Sequence, residues 1–221
     1  MQPTACLFDL DGTLLDSLAD LGTACNVLLE ERGYPRHPLA AYRRFVGNGF
    51  DMLVRRCLPP DAPEHRDPDL LAAAMDRARD YYGTHWAAHS RAYPGIVPML
   101  EALAGKGVIL GVLTNKPHAW AVPIVEHFYA GIPFAVVRGA MPGVPRKPDA
   151  GAVAPVLDIL GLPASACAYV GDSDVDVQTA RATGMLAVGA GWGFRGAEEL
   201  RAAGARHILA TPEELPPLLC P

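Results

Sequence analysis

Short apolar runs recur along the chain, each closed by a polar residue or a glycine. They are ACLF (5–8), VILGVL (108–113), FAVV (134–137), CAYV (167–170), MLAVG (185–189) and HIL (207–209). Runs this short, without polar alternation, suit strands buried on both faces. Between them apolar residues fall at helical spacing, over 98–103 with its flanks, 119–128, 153–160, 175–183 and 198–203. Strands that alternate with helices predict an α/β fold with a doubly wound, Rossmann-like parallel sheet.

The segment 18–90 breaks this rhythm. Leu18, Leu21, Cys25 and Leu28 share a helical face, and Gly33 and Pro35 end that helix. Two more helices are predicted over 50–58 and 70–86, divided by PPDAPEHRDPD. An all-helical block of this length exceeds an ordinary crossover. It reads as a helical cap domain over 17–90, inserted into a catalytic core made of 1–16 and 91–221.

Composition narrows the setting. Half of the 221 residues are hydrophobic and 19% are charged, enough for a sizeable core and too apolar for global disorder. A net charge of −5 supplies no basic field for nucleic acid. The five cysteines are scattered, odd in number and without a CxxC, which predicts reduced thiols and a cytoplasmic protein. No basic-then-apolar leader opens the sequence, and the longest apolar run is too short to span a bilayer. The seven histidines form no metal-ligand pattern.

Ligands of open α/β sheets gather beyond the carboxyl ends of the strands. The residues just past each predicted strand are therefore informative. Asp9, Asp11 and Thr13 come after the first, Thr114, Asn115 and Lys116 after the second, and Asp172, Ser173, Asp174 and Asp176 after the fourth. Arg146-Lys147-Pro148 precedes a helix ahead of the fourth strand. So many carboxylates on one edge repel unless a cation binds, and oxygen donors favour Mg²⁺. Asp9, held at a strand end, is placed to attack phosphorus and form an aspartyl-phosphate. Asp11, two residues on, is placed to protonate the leaving alkoxide and then to deprotonate water. Asp9 and Asp172 would hold the metal, Thr114, Asn115 and Lys147 would bind the phosphate, and Gly12 would let the backbone approach it. The expected partner is a small phosphorylated metabolite, with no nucleic acid and no membrane.

FDLDGTLLDS, LTNKP, RKP and VGDSDVD, in this order, resemble the four motifs of the haloacid dehalogenase superfamily of phosphatases. The likeness spans essentially the whole chain. It implies Asp9 as nucleophile, Asp11 as general acid and base, and a metal held by Asp9, Asp172 and the carbonyl of Asp11. It further implies support of that metal by Asp176 through water, and a cap loop, Gly47, Asn48 and Gly49, facing the substrate. FVGNGFDMLVRR, YPGIVPMLEAL, TNKP and the stretch 191–215 narrow the likeness to bacterial hydrolases of 2-phosphoglycolate. One departure is Lys147-Pro148-Asp149-Ala150 where relatives often carry KPxP, so the next helix is expected to start differently. Pro123 is expected in the first turn of its helix.

Rival readings are weaker. A hexose-phosphate mutase of the superfamily carries a cap-loop arginine where Phe50 falls. A phosphonate-cleaving relative needs a cap lysine, and 17–90 contains none. A dehalogenase has no use for an acid at position 11. A receiver-like signalling phospho-acceptor needs neither that acid nor a cap. The mutase is the first alternative kept, beside a small-molecule phosphatase of broad specificity.

Overall fold

β1 (Ala5–Phe8) is apolar and fully buried at all four positions, so its backbone must find partners on both edges. It pairs in parallel with residues 109–112 on one side and 167–170 on the other. The computed structural model describes residues 3–220. After β1 the chain turns, passes β2 (Leu15–Asp16) and enters α1 (Leu18–Glu31), α2 (Leu39–Phe45), α3 (Phe50–Cys57) and α4 (Pro68–His85). It returns through β3 (Arg91–Ala92), α5 (Ile96–Gly105), β4 (Ile109–Pro117), α6 (His118–Phe128), β5 (Phe134–Ala140) and α7 (Ala150–Leu160). β6 (Cys167–Gly171), α8 (Asp174–Thr183), β7 (Leu186–Ala190), α9 (Gly196–Ala202), β8 (His207–Leu209) and α10 (Leu215–Leu219) complete it.

Six strands form one sheet in the order β5-β4-β1-β6-β7-β8, every neighbour parallel. This is the doubly wound α/β sheet expected. Strand order reverses at β1, so the carboxyl ends of β1, β4 and β6 flank the switch point where such sheets bind ligands. On one face Ala5, Leu7, Leu113, Cys167 and Tyr169 pack with Val153 and Val156 of α7, Ala180 of α8 and Met185.

The chain divides into two compact units, one running through Asp16 and resuming at Ala92, the other Ser17–Arg91. Within the helical unit the expected face of α1 is buried at Leu21, Cys25 and Leu28, and α4 buries Ala74, Ala78 and Tyr82. Tyr42 donates to Asn26 Oδ1 at 2.8 Å, and Asn26 Nδ2 donates to the carbonyl of His37 at 2.9 Å, which ties the loop after α1 back onto it. Buried Glu64 is answered by Arg32 at 2.8 Å and the Tyr34 hydroxyl at 3.0 Å. Asp20 accepts from the backbone of His89 and Ser90 and from the Ser90 hydroxyl.

Three departures from the predicted elements have physical causes. β4 continues through Thr114, Asn115 and Lys116, because those polar residues are themselves buried and the strand does not end where polarity begins. Its pairing with β5 shifts register between Leu113 and Pro117. Pro123 lies inside α6 and not in its first turn. Lacking an N–H, it cannot supply the helical donor for the carbonyl of Ala119. α2 is absent from the predicted elements, being only seven residues long and without a side-chain cap.

Leu7 is fully buried on the central strand. Leu7→Ala should lower the unfolding free energy by about 3 kcal/mol. Urea melts would show this as a lower midpoint at unchanged slope; an unmoved midpoint would contradict the packing.

Candidate active site

Asp9 lies directly past β1, and its N–H still donates to the carbonyl of Val170 at 2.9 Å. Its backbone is thus held by the sheet while its side chain lies beyond the strand. The chain then folds tightly, the carbonyl of Leu10 accepting from Thr13, Leu14 and Leu15. Gly12 takes φ +85°, and a Cβ there would stand 2.5 Å from Asp172 Oδ2. Only glycine fits both the angle and the space.

Lys147 is 3% exposed, although a lysine beside arginine and proline is ordinarily solvated. Its ammonium lies 2.7 Å from Asp176 Oδ1 and 3.0 Å from Asp9 Oδ1. It also donates to the Tyr169 hydroxyl at 2.7 Å, which in turn donates to the carbonyl of Leu113 at 2.5 Å. Asn115 clamps the same residue by its backbone. Its Oδ1 accepts the Lys147 N–H and its Nδ2 donates to the Lys147 carbonyl, both at 3.0 Å. Asn115 thus positions Lys147, a use that its expected role toward phosphate does not describe. Asp149 caps α7 by accepting from the N–H of Gly151 at 2.7 Å, so the helix after the lysine starts on an aspartate.

Asp172 lies in the turn between β6 and α8, and Asp176 in the first turn of α8. Ser173 and Asp176 form a capping box, with the Ser173 N–H and hydroxyl donating to Asp176 Oδ2 at 3.1 and 2.7 Å. Both oxygens of Asp176 therefore have donors. Asp172 Oδ2 accepts from the N–H of Phe194 at 2.8 Å. Gly193 packs so closely that a Cβ would lie 2.2 Å from the Cβ of Asp172. Trp192 donates its indole N–H to the carbonyl of Thr13 at 2.9 Å, which ties this loop to the turn after β1.

Asp11 meets Lys116, which donates to its two oxygens at 2.9 and 3.0 Å. Thr114 lies buried within β4, and its hydroxyl oxygen accepts from the N–H of Lys116 at 3.2 Å. Gly47, Asn48 and Gly49 belong to the helical unit, between α2 and α3. There Arg56 donates to Asn48 Oδ1 at 2.6 Å and to the carbonyl of Phe45 at 3.0 Å. Tyr169 and the 192–194 loop join the site without a sequence signal that assigns them to it. Lys116 is among the residues expected past the second strand, beside Thr114 and Asn115, but no pattern ties it to Asp11.

Electrostatics favour a cation. Carboxylate oxygens of Asp9, Asp172 and Asp176 lie within 4.8 Å of one another. Asp9 Oδ1 is buried and receives no hydrogen bond, its contact with Lys147 being an ion pair of poor hydrogen-bond geometry. Burial, with Asp176 adding to it against the opposing Lys147, pushes the Asp9 carboxyl up to about 6. Burial likewise raises Asp172, with Asp176 and Asp9 adding to it. Burial opposes the charge on Lys147, but Asp176 and Asp9 outweigh it and raise its pKa. An oxygen-only donor set with an unsatisfied buried oxygen fits a hard divalent cation such as Mg²⁺.

Residues 6–190 match the family model described as haloacid dehalogenase-like hydrolase. The phosphoglycolate phosphatase of Pseudomonas syringae pv. tomato is 36% identical over 195 residues, 87% of this chain and 71% of the relative. That of Rhodospirillum rubrum is 36% identical over 196 residues, 87% of this chain and 81% of the relative. A crystal structure of a candidate phosphoglycolate phosphatase from Lactobacillus delbrueckii subsp. bulgaricus superposes with a TM-score of 0.92 at 31% identity, covering 99% of both chains. The chain therefore belongs to the haloacid dehalogenase-like hydrolases. The enzyme class read from sequence, a phosphatase, stands with it. Among the described residues no helix is long and apolar enough to cross a membrane.

These pKa directions fix a pH dependence. Asp9 ionises at 3.8 when unperturbed and at about 6 when folded. A raised carboxyl favours the folded state below the lower value, and that contribution is lost as pH rises through the higher one. Thermal melts should show Mg²⁺ raising Tm at pH 7.5 and the increment shrinking below pH 6, as the proton competes with the metal. An increment independent of pH would contradict a metal held by Asp9.

Proposed function

We propose that the protein hydrolyses a small phosphate monoester, 2-phosphoglycolate, to glycolate and phosphate through an aspartyl-phosphate on Asp9. The observation that carries this reading is the Asp9 oxygen left without a hydrogen bond at the strand end, beside Lys147. A nucleophile needs a lone pair not already engaged by a donor. Asp9 attacks phosphorus as the ester P–O bond breaks, and Asp11 gives its proton to the departing alkoxide. Asp11 then takes a proton from water as that water attacks phosphorus, and the bond from phosphorus to Asp9 breaks. Lys147 and Thr114 bind phosphate oxygens, while Asn115 keeps Lys147 in place. Asp9, Asp172 and the Asp11 carbonyl would hold Mg²⁺, with Asp176 supporting it. When bound, the metal neutralises charge on the transferring phosphoryl group.

The substrate choice rests on the two phosphoglycolate phosphatases named above. We read the helical unit as a cap whose 47–49 loop adds contacts to the substrate. Phe50, where a mutase would carry an arginine, is buried and packs on Tyr82 with ring centroids 5.5 Å apart, which disfavours that rival.

The test is phosphate release from a panel of esters, with and without Mg²⁺. Mg²⁺-dependent release with a strong preference for 2-phosphoglycolate is expected. Conversion of glucose 1-phosphate to its 6-isomer would indicate a mutase, and stoichiometric phosphorylation without turnover a signalling role. Asp9→Asn should abolish turnover, a loss of at least ~10³-fold; retained activity would remove Asp9 as nucleophile.

A further inference from the structure

The core unit holds two buried ammoniums at the carboxyl edge of the sheet, and they have different partners. Lys147 faces Asp9 and Asp176. Lys116 faces Asp11, reaching both carboxylate oxygens at 2.9 and 3.0 Å. The Lys116 side chain is 2% exposed and that of Asp11 is 12% exposed. Lys116 is also fixed at its root, because it lies in β4 and its N–H donates to the Thr114 hydroxyl oxygen at 3.2 Å.

A buried ion pair is a poor source of net stability but an effective constraint on geometry. One ammonium shared between two oxygens of the same carboxylate fixes the plane of that carboxylate. Asp11 stands on a tight turn and has two side-chain torsions, which such a two-oxygen contact restricts. Proton transfer requires the donor or acceptor atom within hydrogen-bond reach of the reacting oxygen. The residue that holds Asp11 in place therefore bears on the one step in which Asp11 acts.

We propose that Lys116 is a positioning residue for Asp11: it holds the carboxylate by both oxygens so that the proton reaches the leaving group from a fixed position. The inference rests on the reading of Asp11 as general acid and base. It assigns Lys116 no contact with phosphate, which falls to Lys147. It also predicts that loss of Lys116 resembles a partial loss of Asp11 and leaves nucleophilic attack by Asp9 intact.

The experiment compares kcat/KM, in Mg²⁺, for 2-phosphoglycolate and for p-nitrophenyl phosphate. The first has a poor leaving group that needs a proton. The second releases a stable phenolate that does not. Asp11→Asn should lose activity selectively toward 2-phosphoglycolate; if it does not, the acid role of Asp11 fails and the inference fails with it. Given that selectivity, Lys116→Met should lose ~10-fold or more on 2-phosphoglycolate and at most ~3-fold on p-nitrophenyl phosphate. Lys116→Arg, which keeps a cation, should recover most of the difference. Equal losses on both substrates, or none, would overturn the inference while leaving Asp11 its role. The double variant D11N/K116M removes both charges and leaves no unpaired ion. It should match D11N alone within ~2-fold, since a positioning residue has nothing left to position. A further loss in the double variant would show Lys116 acting independently and overturn the proposal. Should K116M fail to fold, this last comparison decides alone.

Discussion

Repulsion among carboxylates is the constraint around which the catalytic unit is organised. Asp9, Asp172 and Asp176 meet at the end of a buried parallel sheet, where water screens them poorly, and Asp11 stands two residues past Asp9. The protein answers with two ammoniums carried on neighbouring segments. Lys147 is locked between Asp9 and Asp176, and Lys116 against Asp11. Sheet order, the glycines packed against Asp172 and the backbone clamp from Asn115 all bring these groups to fixed distances.

The Lys147 ammonium is supported from behind. Tyr169 receives a hydrogen bond from Lys147 and passes one to Leu113, so the lysine head is tied to β4. Asp176 closes the first turn of α8 with one oxygen and meets Lys147 with the other. A single carboxylate thus joins helix geometry to site electrostatics, and a change there would disturb both.

Much of this is legible in the sequence, for identifiable reasons. β1 and β6 are buried on both faces, so their residues are apolar without interruption and the aspartates beyond them stand out. The spacing of Leu21, Cys25 and Leu28 marks the start of the 18–90 segment as helical. The end of β4 is not legible, because Thr114, Asn115 and Lys116 are polar yet buried, their polar groups being answered by residues distant in sequence. Tyr169 is hidden for the opposite reason: inside an apolar strand its ring reads as packing, and nothing local reports that its hydroxyl meets Lys147. Pro123 escapes local rules, which place proline at a helix start, whereas α6 carries it in its interior with the loss of one hydrogen bond.

The chain contains three lysines, Lys106, Lys116 and Lys147, and two of them are buried in the site. Lys106 is exposed, lies just past α5 and donates to the carbonyl of Cys220 at 2.7 Å. It precedes β4 and so stands toward the amino edge of the sheet, opposite the carboxylates. Amine-directed coupling through lysine would therefore meet one accessible side chain. Attached to a surface by that residue, every copy would present its carboxyl edge outward in the same orientation.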